Sequence, residues 1–221
     1  MMQYPHGRPR PPWGAWAAAL IAVGVLMSLG VWRGFQLSAI RTKGLHGGLG
    51  TPQQQLEWGL TTSDPTAVCD SLTRGADPNE PVTGTNAVPP LVEAIQPGSI
   101  EILAMLLDAG ADPNAVSREG FSALYSSVVN GNASAAQLLL DRGADPNGGQ
   151  HPHKGVTPLH RAAQKGDEQM VSVLLNAGAD GRRRNDNGRT PADEARRHGH
   201  DAIAEMIEAR AEGTAKTRRS E

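Results

Sequence analysis

The sequence is poor in aromatic residues and in cysteine. Aromatic side chains make up 4% of its 221 residues, and after Phe35 only Trp58, Phe121 and Tyr125 remain. A core in that part of the chain must be packed from aliphatic side chains, which favours close-packed short helices over an aromatic-filled β-sandwich. Cys69 is the lone cysteine, so an internal disulfide framework and a cysteine-rich zinc module are both excluded.

Charge is unevenly distributed along the chain. Of the 21 Lys and Arg residues, five lie within residues 1–43, whereas all 23 Asp and Glu residues follow them. The formal net charge of -2 therefore combines a basic leader with an acidic body. An acidic body argues against a nucleic-acid-binding domain, and no nucleic-acid partner is expected.

Residues 13–32 form a run of 20 residues without a charged side chain. A helix of that length covers about 30 Å, which is roughly the hydrocarbon thickness of a bilayer. Trp13 and Trp16 stand at one end and Trp32 at the other, where indole rings favour the headgroup region. The run therefore predicts an uncleaved single-pass transmembrane helix.

The flanks of this run leave an alternative and an orientation open. Small residues near Gly30 would also suit cleavage of a signal peptide, which would release a secreted or periplasmic protein. Positive charges are nearly balanced across residues 1–12, the N-terminal tail, and 33–50, a glycine-rich flexible linker. A short tail before a first span most often stays in the cytoplasm, so we expect the body on the extracytoplasmic side.

The body is built from an internal repeat. Gly-Ala-Asp recurs at Gly75, Gly110, Gly143 and Gly178, and three of the four copies continue as Gly-Ala-Asp-Pro-Asn. An aliphatic run precedes each copy, as in Ile100–Ala109. Near-constant spacing of about 33 to 35 residues indicates a stacked array of short helical units.

One unit shows how such a repeat would fold. Thr157 can cap a first helix that Pro158 begins, and Gly166 can end it. A second helix over Glu168–Asn176 follows, and Gly178 supplies a left-handed residue after it. Two short helices cannot bury their own apolar faces, so neighbouring units must stack into one core.

These residues resemble the ankyrin-repeat family. The stretch Thr157-Pro158-Leu159-His160-x-Ala162, with the glycines above, is similar to the T-P-L-H-x-A signature and its 33-residue period. The resemblance implies an all-α ankyrin-repeat solenoid behind the transmembrane helix, with His160 bonded to backbone inside the stack. We assign the units to residues 51–83, 84–116, 117–151, 152–184 and 185–209, together spanning 51–209, with capping units at both ends and a charged tail at 210–221.

The resemblance also implies a function in protein–protein interaction. In ankyrin proteins the projecting loops and first helices bind partners, and here they supply Arg118, Glu119, Phe121, His153, Lys154, Gln164, Lys165, Arg183, Arg184 and Arg189. Phe121 is the first candidate, because aromatic residues are frequent binding hot spots. Arg182–Arg184 are either a positive patch for an acidic partner or a solvated loop.

No pattern in the chain indicates catalysis. The sequence holds no nucleophile elbow, no P-loop and no dinucleotide-binding motif, so we expect no cofactor and no small-molecule substrate. His151 and His153 lack the spacing of a zinc site, and a partly buried, inert Cys69 is expected. We predict a monomeric, non-catalytic scaffold or adaptor of bacterial origin, with a regulatory partner of another enzyme as an alternative.

Overall fold

The computed structural model describes residues 50–82, 88–96, 99–149 and 155–217. These residues form helices and loops, with two isolated β-bridges, Val82 to Val88 and Val116 to Ser122. The helices are α1 (Pro52–Thr62), α2 (Pro65–Thr73), α3 (Pro90–Glu93), α4 (Ile100–Asp108), α5 (Ala123–Asn130), α6 (Ala133–Asp141), α7 (Pro158–Lys165), α8 (Glu168–Asn176), α9 (Pro191–Arg197) and α10 (Asp201–Thr217). The odd-numbered helices are the first helices of the five units, and the even-numbered helices are the second.

The predicted transmembrane helix at 13–32 lies outside the described residues. Within the part of the chain that the structure describes, no helix combines the length and the apolar character needed to cross a bilayer.

Hydroxyl side chains start most of the first helices. Thr51, Ser122, Thr157 and Thr190 each accept a hydrogen bond from the backbone N–H three residues later. This bond satisfies one of the N–H groups that a helix start leaves without a partner. Helix α3 instead follows Pro89, which offers no such cap, and it has only four residues.

A glycine follows the second helix of each of the first four units, as the repeat predicts. The backbone φ angles of Gly75, Gly110, Gly143 and Gly178 are +91°, +92°, +90° and +89°, in the left-handed region that glycine tolerates best. Their near identity shows that the four turns share one conformation. Gly166 ends α7 in the same region, with a φ of +73°.

The core has two helical layers. Neighbouring first helices contact one another, as do neighbouring second helices. Each unit therefore packs against the unit or units next to it in the array. Leu159 and Ala162 of the first layer and Leu139 and Leu174 of the second are at most 1% exposed. Full burial of one Leu contributes about 1.5–3 kcal/mol, and the small Ala side chains let the helices approach closely.

Asparagine side chains connect successive units outside this core. The Asn114 side chain donates to the Gly143 carbonyl at 3.3 Å and accepts from the Asp145 N–H at 2.7 Å. Asn79 makes the equivalent bonds one unit earlier, at 3.0 and 2.8 Å. The regular spacing of the Gly-Ala-Asp-Pro-Asn turns thus places each of these asparagines next to the same turn of the following unit, where it bonds to the backbone.

The last unit departs from this pattern and from its predicted boundary. Arg182 occupies the asparagine position of the fourth turn, and its guanidinium donates to the Ala211 carbonyl of α10. Helix α10 continues to Thr217, eight residues beyond the predicted end at 209, so much of the predicted charged tail is helical. Arg210, Ala211 and Glu212 are strong helix formers, whereas Gly213, Thr214 and Thr217 are not, so intrinsic propensity favours only the first part of the extension. Arg196 adds a two-bond contact to Glu208 at 2.6 and 2.7 Å.

The expectation of a partly buried Cys69 is wrong. Its side chain is exposed on α2, where Val68 and Ser71 instead face the core. Two residues separated by three positions lie on one face of a helix, and Cys69 falls outside that face.

Candidate functional site

A pocket of about 460 Å³ lies on the first-helix side of units three to five, with Gln96 of unit two at its edge. We call it the first-helix pocket. It is lined by Gln96, Phe121, Tyr125, Ser126, Val129, Asn130, Val156, His160, Arg161, Gln164, Asn185, Asn187, Arg189, Glu194 and Arg197. The pocket therefore spans α5, α7 and α9 and the loops that precede them.

The lining follows the repeat register. In units three, four and five the same three positions line the pocket, counted from the helix caps Ser122, Thr157 and Thr190. The residue before the cap is Phe121, Val156 or Arg189; the fourth after it is Ser126, Arg161 or Glu194; the seventh is Val129, Gln164 or Arg197. Because the units have one conformation, equivalent positions form rows across neighbouring units.

The loops before the caps position the first of these rows. The Ser117 N–H donates to the Phe121 carbonyl at 2.9 Å, and the Phe121 N–H donates back to the Ser117 hydroxyl at 3.2 Å. In the fifth unit the Asn185 N–H donates to the Arg189 carbonyl at 2.9 Å, and the Arg189 N–H donates back to the Asn185 side-chain oxygen at 3.0 Å. The same loop geometry thus presents a phenyl ring in one unit and a guanidinium in another.

The third unit supplies an apolar end to the pocket. The rings of Phe121 and Tyr125 stack with centroids 5.6 Å apart and an interplanar angle of 27°. Phe121 is half-buried, and Val129, one helix turn beyond Tyr125, is exposed. A stacked aromatic pair next to an exposed aliphatic side chain offers apolar surface to a ligand.

The fourth and fifth units supply a cationic end. Arg161, Arg189 and Arg197 line the pocket together with a single carboxylate, Glu194. Glu194 is largely buried and lies 3.4 Å from the Arg189 guanidinium and 3.7 Å from that of Arg197. It also accepts a hydrogen bond from the Asn185 amide at 3.0 Å, and its other oxygen lies 4.0 Å from Nδ1 of His198. Two guanidinium groups therefore share one carboxylate.

His160 supports the pocket floor from within the stack. Its Nδ1 accepts from the Thr157 N–H at 3.3 Å, which leaves Nε2 to donate to the Arg189 carbonyl at 3.0 Å. The imidazole thereby links the fourth unit to the fifth, which confirms the expected backbone bond. Burial lowers the pKa of His160, against the opposing effects of the Arg189 carbonyl and of Glu194.

The structure places the predicted partner-binding residues in three situations. Phe121, Gln164 and Arg189 line the first-helix pocket. Arg118 and Glu119 are exposed in the loop before α5, and Arg183 is exposed in the loop before α9. Lys165 and Arg184 donate to backbone carbonyls, and the predicted binding role of the set stays a prediction.

Two predicted cations have structural partners. The Lys165 ammonium donates to the Val129 carbonyl at 2.8 Å, at the end of α5, and the Arg184 guanidinium donates to the Gly188 carbonyl of its own loop. Arg182 is bonded to α10, and all three side chains of Arg182–Arg184 remain exposed. His153 and Lys154 lie outside the described residues.

Several pocket residues were not among the predicted ones. Tyr125, Arg161, Glu194 and Arg197 are the most important of these. Arg161 is the variable residue of the Thr-Pro-Leu-His-x-Ala stretch, and aligning the units would have placed Glu194 in the same row. Asp193, next to Glu194 in the first turn of α9, completes a capping box with Thr190, whereas Glu194 is buried in the pocket wall.

No group of three or more His, Cys, Asp or Glu side chains suited to a metal ion occurs among the residues that the structure describes.

Comparison with known proteins identifies the repeat. A family model described as "Ankyrin repeats (3 copies)" matches residues 62–150 and 147–217. The human ARF GTPase-activating protein GIT1 (Homo sapiens) is 47% identical over 57 residues, which are 26% of this chain and 8% of that protein. Tyrosine-protein kinase HTK16 of Hydra vulgaris is 32% identical over 111 residues, or 50% of this chain and 15% of the kinase.

Inactive serine/threonine-protein kinase TEX14 of Mus musculus is also similar, with 35% identity over 121 residues, 53% of this chain and 8% of that protein. The chain thus spans only a small part of the length of the curated relatives described here. These relatives come from animals, and they lend no support to the bacterial origin expected from composition.

Proposed function

This chain belongs to the ankyrin-repeat family, and we propose that it is a non-catalytic scaffold that binds a protein partner while residues 13–32 tether it to a membrane. Ankyrin repeats indicate a protein–protein interaction module. The finer elements of the proposal are the binding surface, the absence of catalysis and the membrane tether.

The first-helix pocket carries the proposal of a binding surface. It is the place where the repeat register brings variable side chains of three units together, while the signature residues Thr157, Leu159 and His160 are buried beneath it. A layer of helices that presents a half-buried Phe121, an exposed Val129 and several arginine side chains has a composition typical of protein interfaces. The exposed Arg118, Glu119 and Arg183 extend this surface along the loops.

The chemistry of the pocket supports a non-catalytic role. Its one carboxylate, Glu194, is held by Asn185 and Arg189, and its imidazole, His160, has both ring nitrogens within hydrogen-bond distance of Thr157 and Arg189. A general base or nucleophile needs a lone pair directed at a substrate, and these groups direct theirs into the fold. The similarity to the kinases and the GTPase-activating protein covers small parts of those proteins.

The tether is supported by the uncharged run at 13–32 and its terminal tryptophans. We place the repeat domain on the extracytoplasmic side, with the basic residues Arg8 and Arg10 retained in the cytoplasm. A cleaved leader that releases a secreted binder is the competing arrangement.

Site-specific photo-crosslinking tests the binding surface. A photoreactive amino acid replaces Gln164 in the pocket, Arg118 in the loop before α5, or Ser134 on the second helix α6 as a matched exposed control. We expect covalent adducts with another protein from the first two positions and none from Ser134. Adducts of equal yield at all three positions, or at Ser134 alone, would contradict the proposed surface.

Alkaline carbonate extraction tests the tether. We expect the full chain to remain with the membrane pellet and a reporter fused after Gly213 to be active only on the extracytoplasmic side. A soluble protein that begins near Val31 would show instead that the leader is cleaved, and a reporter active only in the cytoplasm would reverse the proposed orientation.

A further inference from the structure

We propose that the first-helix pocket binds an extended acidic segment of the partner protein, with a large apolar side chain against Phe121 and an Asp or Glu side chain against Arg161 and Arg197. The inference rests on the proposed function, because it assigns the chemistry of the partner at the same surface. It follows from the division of the pocket into an apolar end and a cationic end.

The apolar end provides a position for one large side chain. Phe121 and Tyr125 form a stacked pair in the third unit, and 38% of Val129 remains exposed beside them. Ring stacking holds the two aromatic side chains in one arrangement, so a ligand would lose little conformational freedom on their account. An aromatic or long aliphatic side chain would bury apolar surface on both partners.

The cationic end has more positive than negative charge. Arg161, Arg189 and Arg197 line this end together with a single carboxylate, Glu194, which already approaches Arg189 and Arg197. Arg161 donates to the Gln164 amide oxygen at 2.6 Å through Nη1, and its buried Nε–H has no acceptor among the described residues. The planar guanidinium groups that line the pocket suit a carboxylate, and a carboxylate from the partner would balance the excess charge.

The loop backbone favours a side-chain carboxylate over a chain terminus. Capture of a terminal carboxylate commonly uses a group of free backbone N–H donors. Here the Asn185 side-chain oxygen accepts from the N–H groups of both Asn187 and Arg189, each at 3.0 Å. The charged donors at this end belong to arginine side chains, which can bind an Asp or Glu side chain at any internal position of a peptide.

The spacing of the units predicts the spacing of the two anchor residues. Packed helices lie about 8–10 Å apart, so the apolar end in unit three and Arg161 in unit four are separated by about that distance. An extended peptide advances about 3.3 Å per residue. The acidic residue should therefore stand about two to four positions from the large apolar residue in the bound segment.

Selection of random peptides tests this inference on the full chain. A phage-displayed library of random dodecapeptides is panned against the protein in dodecylmaltoside micelles, and enriched peptides are synthesised for affinity measurement. We expect the enriched peptides to share a large apolar residue with Asp or Glu about two to four positions away. The variants Arg161→Gln and Phe121→Ala should each weaken their binding about tenfold or more.

Arg142→Gln is the matched control, because it removes one exposed guanidinium at the end of the second helix α6, away from the pocket. It should leave the affinity unchanged, and far-ultraviolet circular dichroism should be the same for all variants. Equal weakening by Arg142→Gln would show attraction by net charge alone and would overturn the pocket assignment. Failure to enrich peptides, or enrichment without acidic residues, would overturn it as well.

The two proposals fail separately. If pocket variants leave peptide binding unchanged while Arg118 still forms cross-linked adducts, the assignment of the pocket is wrong and the binding function stands. If neither Gln164 nor Arg118 forms adducts, the proposed function itself is refuted.

Discussion

The asparagine bonds between units allow a graded stability test. Replacing Asn114 by Ala removes two described hydrogen bonds, to the Gly143 carbonyl and from the Asp145 N–H. Replacing Asn147 removes the equivalent bond from the Asp180 N–H at 2.8 Å, and no second side-chain bond of Asn147 is described. The two substitutions are chemically identical and differ in the number of bonds between units.

A hydrogen bond contributes about 0.5–1.5 kcal/mol net, and the groups left behind here are exposed, so water can replace the lost partner. We therefore expect Asn114→Ala to lower the free energy of unfolding by about 1–2 kcal/mol and Asn147→Ala by about half as much. For a chain of this size such losses lower the melting temperature by about 2–8 °C and about 1–4 °C.

Urea denaturation of the full chain in detergent, followed by far-ultraviolet circular dichroism, measures both losses. Arg118→Ala in a nearby exposed loop is the control and should change the free energy of unfolding by less than about 0.5 kcal/mol. Equal losses for the two asparagine variants, or a loss for Asn114→Ala no larger than that of the control, would refute the idea that these side chains couple the units.

Two further predictions concern the core. Gly59→Ala should lower the free energy of unfolding by about 1–2 kcal/mol, because a Cβ there would meet the Val68 side chain at 2.9 Å. This loss is expected despite the better helix propensity of Ala, and a melting temperature that is unchanged or raised would contradict it. Because the pKa of His160 is lowered in the folded chain, the unfolded chain takes up a proton first as the pH falls below about 6.5. The free energy of unfolding then falls with decreasing pH by up to about 1.4 kcal/mol per pH unit. His160→Gln should make this decrease smaller, as measured by denaturation curves at about pH 7.5 and pH 5.5. An unchanged slope would show that His160 is not responsible.

Local chemistry made the repeat predictable. The cap at Thr157, the glycine at Gly166 and the limits of the helix at Glu168–Asn176 all follow from short-range rules, because a helix start needs an acceptor and a helix end tolerates a left-handed residue. The end of the array was less predictable. Helix α10 passes residue 209, and the bond from Arg182 to its Ala211 carbonyl is not visible in the repeat pattern.

The candidate site was predicted only in part. Phe121, Gln164 and Arg189 were selected by their place in loops and first helices, and they do line the pocket. Exposure alone did not distinguish them from Lys165, whose ammonium is engaged by α5. Burial of Glu194 was unexpected, because an adjacent acidic pair at a helix start is ordinarily solvated.

The scarcity of aromatic residues, the Gly-Ala-Asp spacing and the hydroxyl caps determined by themselves that this chain stacks short helices around an Ala and Leu core. These features act over a few residues or repeat at a constant interval, so they can be read along the chain. Tertiary structure alone decided that Phe121, Arg161 and Glu194 share one pocket. Their side chains come from three units and meet because stacking aligns equivalent positions, and the balance of charge there depends on distances that only the packed units define.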